Sequence, residues 1–267
     1  MSASPSSSAR SVIITRLRAA GCVFAEDEAR MLLSAARTSA ELDAMVDRRA
    51  AGLPLEQVLG WAEFCGLRIA VEPGVFVPRR RTEFLVRQAV ALAQAPVVVV
   101  DMCCGSGAVG AALAAVRPRV EVYAVDIDPA AVRCARRNLA ACGGHAYAGD
   151  LYEPLPEALR GRVDVLVANA PYVPTEAISL MPPEARLHEP RVALDGGPDG
   201  LDVQRRVIAA APVWLAPGGH LLIETSESQA PRTAETFARH GLIPRVAGSE
   251  ELDATVVIGT GPPGSSP

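Results

Sequence analysis

Asn169-Ala170-Pro171-Tyr172 follows the apolar run Val163 to Ala168, which only Asp164 interrupts. A carboxamide, a stiff turn and an aromatic ring thus stand at the end of a buried strand. Residues of these types suit one task, holding a planar nitrogen. Such a nitrogen is a poor nucleophile because its lone pair is delocalised. To attack a carbon it must be stripped of water and held in line, about 3–3.5 Å away. Its N–H groups also need acceptors that favour pyramidalisation. Asn169 Oδ1 and the carbonyl of Ala170 could supply them, with Tyr172 stacked on the flat acceptor and Pro171 stiffening the turn. An ordinary Asn/Pro turn after a strand would carry the same residues, so the motif needs company.

Three further motifs provide it. Asp101-Met102-Cys103-Cys104-Gly105-Ser106-Gly107 follows the run Val97 to Val100. Its glycines allow close approach of a ligand to the backbone, with a helix N-terminus behind them. Gly105 to Gly110 formally satisfies the dinucleotide pattern Gly-x-Gly-x-x-Gly, so this loop alone does not choose between cofactor classes. Asp126-Ile127 closes the next strand, where a carboxylate can accept both hydroxyls of a ribose; Asp128 before Pro129 reads instead as a helix cap. Gly149-Asp150-Leu151 follows the third strand. Asp150 could meet an adenine amino group and Leu151 cover the ring, although a loop carboxylate is often no more than that.

The elements that must position these motifs alternate strand and helix. Strands are expected at Val97–Asp101, Val120–Asp126, His145–Ala148, Val163–Ala168, His220–Glu224 and Thr255–Ile258, with helices at Val109–Val116 and Pro129–Cys142. This is an α/β pattern, a mostly parallel, Rossmann-like sheet with helices on both faces. Ahead of it, apolar residues at helical spacing predict a small helical domain over 11–60. In 61–80, Leu67, Ile69 and Val71 alternate with polar or small residues, Pro73-Gly74 offers a turn and Val75-Phe76-Val77 a second extended run. A β-hairpin is expected there as the linker, with the α/β domain over 81–260. The Ser/Ala-rich stretch 1–10 and the Gly/Pro/Ser-rich stretch 261–267 are expected to be disordered.

Composition narrows the classes. The 267 residues are 49% hydrophobic and 21% charged, ample for a globular core. Every basic residue is arginine, and the net charge of −4 disfavours broad nucleic-acid binding. None of the six cysteines forms a Cys-x-x-Cys pair, so no metal site is expected. Cys103 and Cys104 read as small residues packed in a turn, and Arg79-Arg80-Arg81 as a solvated charge run. No signal peptide or spanning segment is legible, which points to a cytoplasmic enzyme with reduced thiols.

The chain resembles the protein-(glutamine-N5) methyltransferases that modify the Gly-Gly-Gln loop of peptide-chain release factors. The resemblance runs through Pro54–Gly60, Pro73–Arg79 with Thr82-Glu83, Asp101–Gly107, Ala124–Pro129, Gly149–Pro154, Asn169–Tyr172, His188–Gly197 and Gly200–Asp202. It implies a class I S-adenosyl-L-methionine-dependent methyltransferase domain and a helical domain that helps receive a protein substrate, possible acceptors including a release factor. Cofactor contacts would fall on Asp101, Met102, Cys103, Cys104, Gly105, Ser106, Gly107, Asp126, Ile127, Asp150, Leu151 and Asn169. Asn169, Ala170, Pro171 and Tyr172 would be the catalytic and substrate-binding set, with neither membrane nor nucleic acid as partner. Three features depart from the pattern: Ala170 replaces a usual proline, Cys103 a usual glycine, and Arg79–Arg81 a more acidic run. They leave open a small-molecule acceptor of a specialised pathway or a nucleobase amino group, both planar nitrogens. A non-catalytic binding protein and a nicotinamide oxidoreductase are the readings from other classes.

Overall fold

The computed structural model describes residues 7–93, 97–117 and 119–263. Four helices, α1 (Ser7–Ala19), α2 (Ala25–Ala35), α3 (Ser39–Ala50) and α4 (Leu55–Leu59), close over an apolar cluster of their own that includes Ile13, Leu17, Leu32 and Val46. Thr38 caps α3 by accepting from the Glu41 N–H, satisfying one of the donors that a helix start leaves free. Helix α1 already begins at Ser7, so residues 7–10 are helical where disorder was expected; residues 1–6 lie outside the described residues.

The hairpin forms one turn earlier than expected. Strands β1 (Trp61–Phe64) and β2 (Leu67–Ala70) pair antiparallel around Cys65-Gly66, both at positive φ (49° and 74°). A two-residue turn with that backbone matches the twist of paired strands. The Pro73-Gly74 turn also forms, with Val75 N–H bonded to Glu72 O, but Val75–Val77 is not a strand. Burial claims it instead. Val75 packs on Ala131 and Cys134, Val77 on Ala62 and Val71, and the Val77 N–H donates to Glu189.

The sheet takes the order β5-β4-β3-β6-β7-β9-β8. Its strands are β3 (Val97–Met102), β4 (Val120–Asp126), β5 (His145–Ala148), β6 (Val163–Ala168), β7 (Leu215–Thr225), β8 (Ile243–Ser249) and β9 (Ala254–Thr260). The first five in that order are parallel; β9 runs antiparallel to both neighbours. Alternate residues face opposite layers, as the pleat requires. Val97, Val99, Val165 and Val167 meet α5 (Glu83–Leu92), α6 (Ala108–Val116) and α7 (Pro129–Leu139). Val100, Met102, Leu166 and Ala168 meet α9 (Asp202–Trp214) and α10 (Ala230–Arg239). Between β6 and α9 the chain makes a long excursion with a short helix, α8 (Pro183–His188). Strand order reverses at β3, which lies between β4 and β6, and ligands of such sheets bind beyond the carboxyl ends at that point. At the end of the chain, Gly261 N–H bonds to Gly219 O and Pro262 O accepts from Gly218, so residues 261–263 are tied to the sheet; 264–267 lie outside the described residues.

Candidate active site

The motifs singled out in the sequence converge at the reversal point on a cavity of about 570 Å³, within the usual range for small-ligand sites. Asp101 to Ser106, Asp126, Ile127, Asp150, Leu151 and Asn169 to Tyr172 all line it. Gly107 does not. It turns its Cα toward α7, where an added Cβ would lie 2.9 Å from Ala135 Cβ, and its N–H is spent on Cys104 O at 2.8 Å. Its Cα thus faces the packing of α6 on α7.

The loop after β3 is held open by neighbours. Cys103 sits at φ 56°, the left-handed region a glycine enters freely. Cys104 N–H bonds to Val125 O at 3.0 Å and Gly105 N–H to Asp126 Oδ2 at 2.8 Å. At Gly105 an added Cβ would find Phe76 Cβ at 3.9 Å and nothing closer, so the space over this glycine is open. Asp126 Oδ1 accepts from the Asp128 N–H, and each carboxylate oxygen retains lone-pair capacity for a hydroxyl. Asp101 is buried with Oδ2 bound to the Gly110 N–H at 2.9 Å; burial pushes its pKa up to about 7. Burial also pushes the Cys103 and Cys104 thiols well up, which leaves them protonated and unreactive. At the far wall Leu151 adopts φ 50°, and Asp150 is paired with Arg206 of α9 at 2.6 Å.

Beyond β6, Asn169 Nδ2 donates to Thr82 Oγ1 at 3.2 Å, which leaves Oδ1 for the cavity. Among the described residues no group donates to Asn169 Oδ1 or to the Ala170 carbonyl. The Tyr172 hydroxyl donates weakly to Glu224 Oε1 at 3.4 Å, and burial, then the Glu224 charge, pushes its pKa up to about 12. The segment is braced from behind. Val173 N–H bonds to Leu194 O, Gly196 N–H to Val173 O, and Gln229 Nε2 to Tyr172 O at 2.9 Å. Gly200 must be glycine here, since a Cβ would lie 2.3 Å from Tyr172 O.

The arginine run, expected to be solvated, is exposed at Arg80 and Arg81 but also grips buried carboxylates. Arg79 forks onto both oxygens of buried Glu189 at 2.7 Å, and Arg81 reaches buried Glu224 at 3.3 Å with its guanidinium 5.9 Å from the Tyr172 ring centre. Arg80 alone of the three faces solvent without such a carboxylate. Sequence reasoning missed Glu224, Gln229 and Arg206 altogether. The signal available for Glu224 was a carboxylate at the end of an otherwise apolar strand.

The family model for the methyltransferase small domain matches residues 66–197. A release factor glutamine methyltransferase of Geobacter sulfurreducens is 42% identical over 74% of this chain and 69% of its own length. A 4-amino-L-phenylalanine/4-methylamino-L-phenylalanine methyltransferase of Streptomyces pristinaespiralis is 37% identical over 73% of this chain and 69% of its own. A methyltransferase from Pyrococcus furiosus of known structure shares the fold, with a TM-score of 0.55 at 17% identity, covering 74% of this chain and 90% of that one.

Proposed function

The chain belongs to the release factor glutamine methyltransferase family, and from that premise we propose that it methylates a glutamine side-chain nitrogen in the Gly-Gly-Gln loop of a release factor. It is an S-adenosylmethionine-dependent methyltransferase. The open space over Gly105, the Asp126 carboxylate and the Leu151 wall fit that cofactor. When bound, it supplies a methyl carbon on a sulfonium, electrophilic enough for direct displacement.

One observation carries the reading: two acceptors without protein donors, Asn169 Oδ1 and the Ala170 carbonyl, stand side by side on the wall of the cavity that Asp126 and Gly105 also line. They match the two N–H groups of a primary amide. Held there, the amide loses its hydration shell and its resonance, and the nitrogen lone pair turns toward the methyl carbon in line. Alignment of this kind lowers a barrier by about 7–11 kcal/mol in favourable cases. With the cofactor bound, displacement at its methyl carbon would leave a cationic nitrogen that gives its proton to water, so no strong base is required of these residues. Tyr172, protonated throughout, packs against the amide plane rather than taking the proton. Helices α1–α4, the domain expected over 11–60, would receive the protein substrate from the cytoplasm.

A second reading has a specific observation behind it. The Streptomyces relative is named for an amino-acid acceptor with an amino nitrogen on a ring, and Ala170 departs from the proline of the resemblance. Identity reaches 42% with a release factor glutamine methyltransferase against 37% with the Streptomyces relative, which favours glutamine. The test is incubation with labelled cofactor and either a release factor from the same source or 4-amino-L-phenylalanine, read by mass spectrometry. Label on the Gly-Gly-Gln glutamine supports the proposal; label on the small acceptor alone overturns it.

A further inference from the structure

Gln229 stands one residue ahead of α10, 8% exposed and outside the cavity, and the reaction as described gives it no task. Both ends of its carboxamide are engaged. Nε2 donates to Tyr172 O at 2.9 Å and to Asp199 O at 3.2 Å. Oε1 accepts from the Ser226 hydroxyl at 2.7 Å and more weakly from that of Thr225 at 3.5 Å. A carbonyl oxygen can only accept, so the two carbonyls decide which end of the amide faces them. Among the described residues no other group donates to Tyr172 O or to Asp199 O.

Those carbonyls belong to two separate segments. Tyr172 O closes the Asn169–Tyr172 turn, and the other edge of the same peptide, the Val173 N–H, bonds to Leu194 O at 3.0 Å. Asp199 lies on the returning arm of the excursion between β6 and α9, beside Gly200, where an added Cβ would stand 2.4 Å from Gln229 Nε2. Among the described residues no other side chain bonds to both the turn and the returning arm. We propose that Gln229 is a positioning residue that clamps the acceptor-holding turn to the returning arm, so that the Ala170 carbonyl and the Tyr172 ring keep the geometry methyl transfer needs. This rests on the roles given to Ala170 and Tyr172 above.

A displacement of about 1 Å at a reacting centre can cost about 10²-fold in rate. Gln229→Met keeps the length of the side chain and removes both donors. Gln229→Asn keeps the amide on a shorter stem, which cannot reach both carbonyls at once. Thr233→Val is the control. The Thr233 hydroxyl, on the same helix and 1% exposed, donates to Gln204 Oε1 at 3.0 Å and touches neither segment.

Single-turnover methylation of a release factor should fall by about 10–10²-fold in Gln229→Met and Gln229→Asn, with acceptor KM and cofactor affinity little changed. Thr233→Val also gives up a buried hydrogen bond and should keep the wild-type rate. Amide hydrogen exchange supplies a readout that needs no acceptor. The Val173 and Gly196 N–H groups bond to Leu194 O and Val173 O, next to the clamp. In the two Gln229 variants they should exchange about tenfold faster, the worth of the hydrogen bonding lost at Tyr172 O and Asp199 O. Leu221 and Leu222 of β7, paired with strands on both sides, report an intact fold. A wild-type rate in both Gln229 variants, an equal loss of rate in Thr233→Val, or unchanged exchange at Val173 and Gly196 overturns the proposal. If the wild-type protein methylates no acceptor offered, the acceptor assignment fails on its own, and the exchange data still decide the clamp.

Discussion

Replacing Asn169 with alanine removes two things that act on different measurements. The first is the donor to Thr82 Oγ1 at 3.2 Å. Its loss leaves a hydroxyl that is 3% exposed short of one partner, a stability cost of about 1 kcal/mol. The second is Oδ1, which no protein group occupies. Without it, one N–H of the acceptor amide lies unpaired in a water-poor cavity just as its lone pair is drawn away from the carbonyl. Removing one preorganised polar group at a reacting centre costs about 2.7–4 kcal/mol, or 10²–10³ in rate. The open space over Gly105 and the carboxylate of Asp126, held by the Gly105 and Asp128 N–H groups, stay in place. Cofactor affinity should therefore change far less than the rate. The assay is single-turnover transfer of labelled methyl to a release factor, beside calorimetric titration of cofactor into the same preparation. A rate within about tenfold of wild type, little more than one ordinary hydrogen bond, refutes the role given to Oδ1. So does a collapse of cofactor affinity with single-turnover chemistry intact.

Asp101 has its pKa pushed by burial from 3.8 to about 7. Between those values the folded chain holds a proton that the unfolded chain has lost, so this stabilising contribution is complete below about pH 4 and declines as pH rises through about 7. Melting temperatures should therefore show Asp101→Asn gaining on wild type from about pH 5 to 8, and parallel curves would refute the shift. Gly107→Ala meets left-handed strain of about 1–2 kcal/mol and overpacking of about 1–3 against Ala135, so chemical denaturation should record a loss of about 2–5 kcal/mol. Gly105→Ala, at φ 53°, meets the same left-handed strain but no clash, so it should lose only about 1–2 kcal/mol of stability while losing cofactor affinity; equal stability loss in the two variants would contradict their assigned places. Ala170 uses its N–H on no protein group among the described residues, so Ala170→Pro should retain methyl transfer and gain about 0.4–1 kcal/mol through a stiffer unfolded chain. Loss of transfer in that variant would mean that more than the carbonyl of residue 170 is used.

What was legible in the sequence is what repeats locally. Val97 to Val100 and Val163 to Ala168 announce buried parallel strands, and four motifs at successive strand ends must meet wherever such a sheet reverses its order. Strand β8 escaped because Ile243-Pro244-Arg245-Val246 carries a proline and, as an edge strand, exposes most of its residues. The hairpin was displaced because Cys65, an unusual residue for positive φ, shares its turn with Gly66, while Val75–Val77 alternates for reasons of burial rather than pairing. Gly107 satisfied a motif whose letters do not reveal which glycine faces the ligand and which faces a helix. The ion pairs of Arg79 and Arg81 join residues more than a hundred positions apart. No local pattern signals such a pairing, so a charge run in the sequence became two tethers onto buried carboxylates in the fold.

Those tethers bear on how one family can contain relatives named for such different acceptors. The groups proposed to handle the methyl carbon and the nitrogen sit on strand ends of a single sheet, and Ala170 contributes only backbone. The outer wall of the cavity is built otherwise, from the excursion between β6 and α9. Glu189 of that excursion is held by Arg79 and the Val77 N–H, and Glu184 by Arg49, which also forks onto Glu28 of α2 at 2.7 and 3.2 Å. The helical bundle and the cavity wall are thus anchored to each other through a buried guanidinium, one of the stronger ways to transmit position between two elements. Leu180 and Leu187 on the same excursion are 86% and 66% exposed. Selection of the acceptor can therefore change through residues 175–195 and the bundle while Asp126, Asn169 and Tyr172 stay fixed, since any planar nitrogen asks the same of them. On this account the substitution at residue 170 does not decide the substrate: exchanging the 175–195 segment with that of a relative should redirect acceptor preference, whereas Ala170→Pro should leave it where it is.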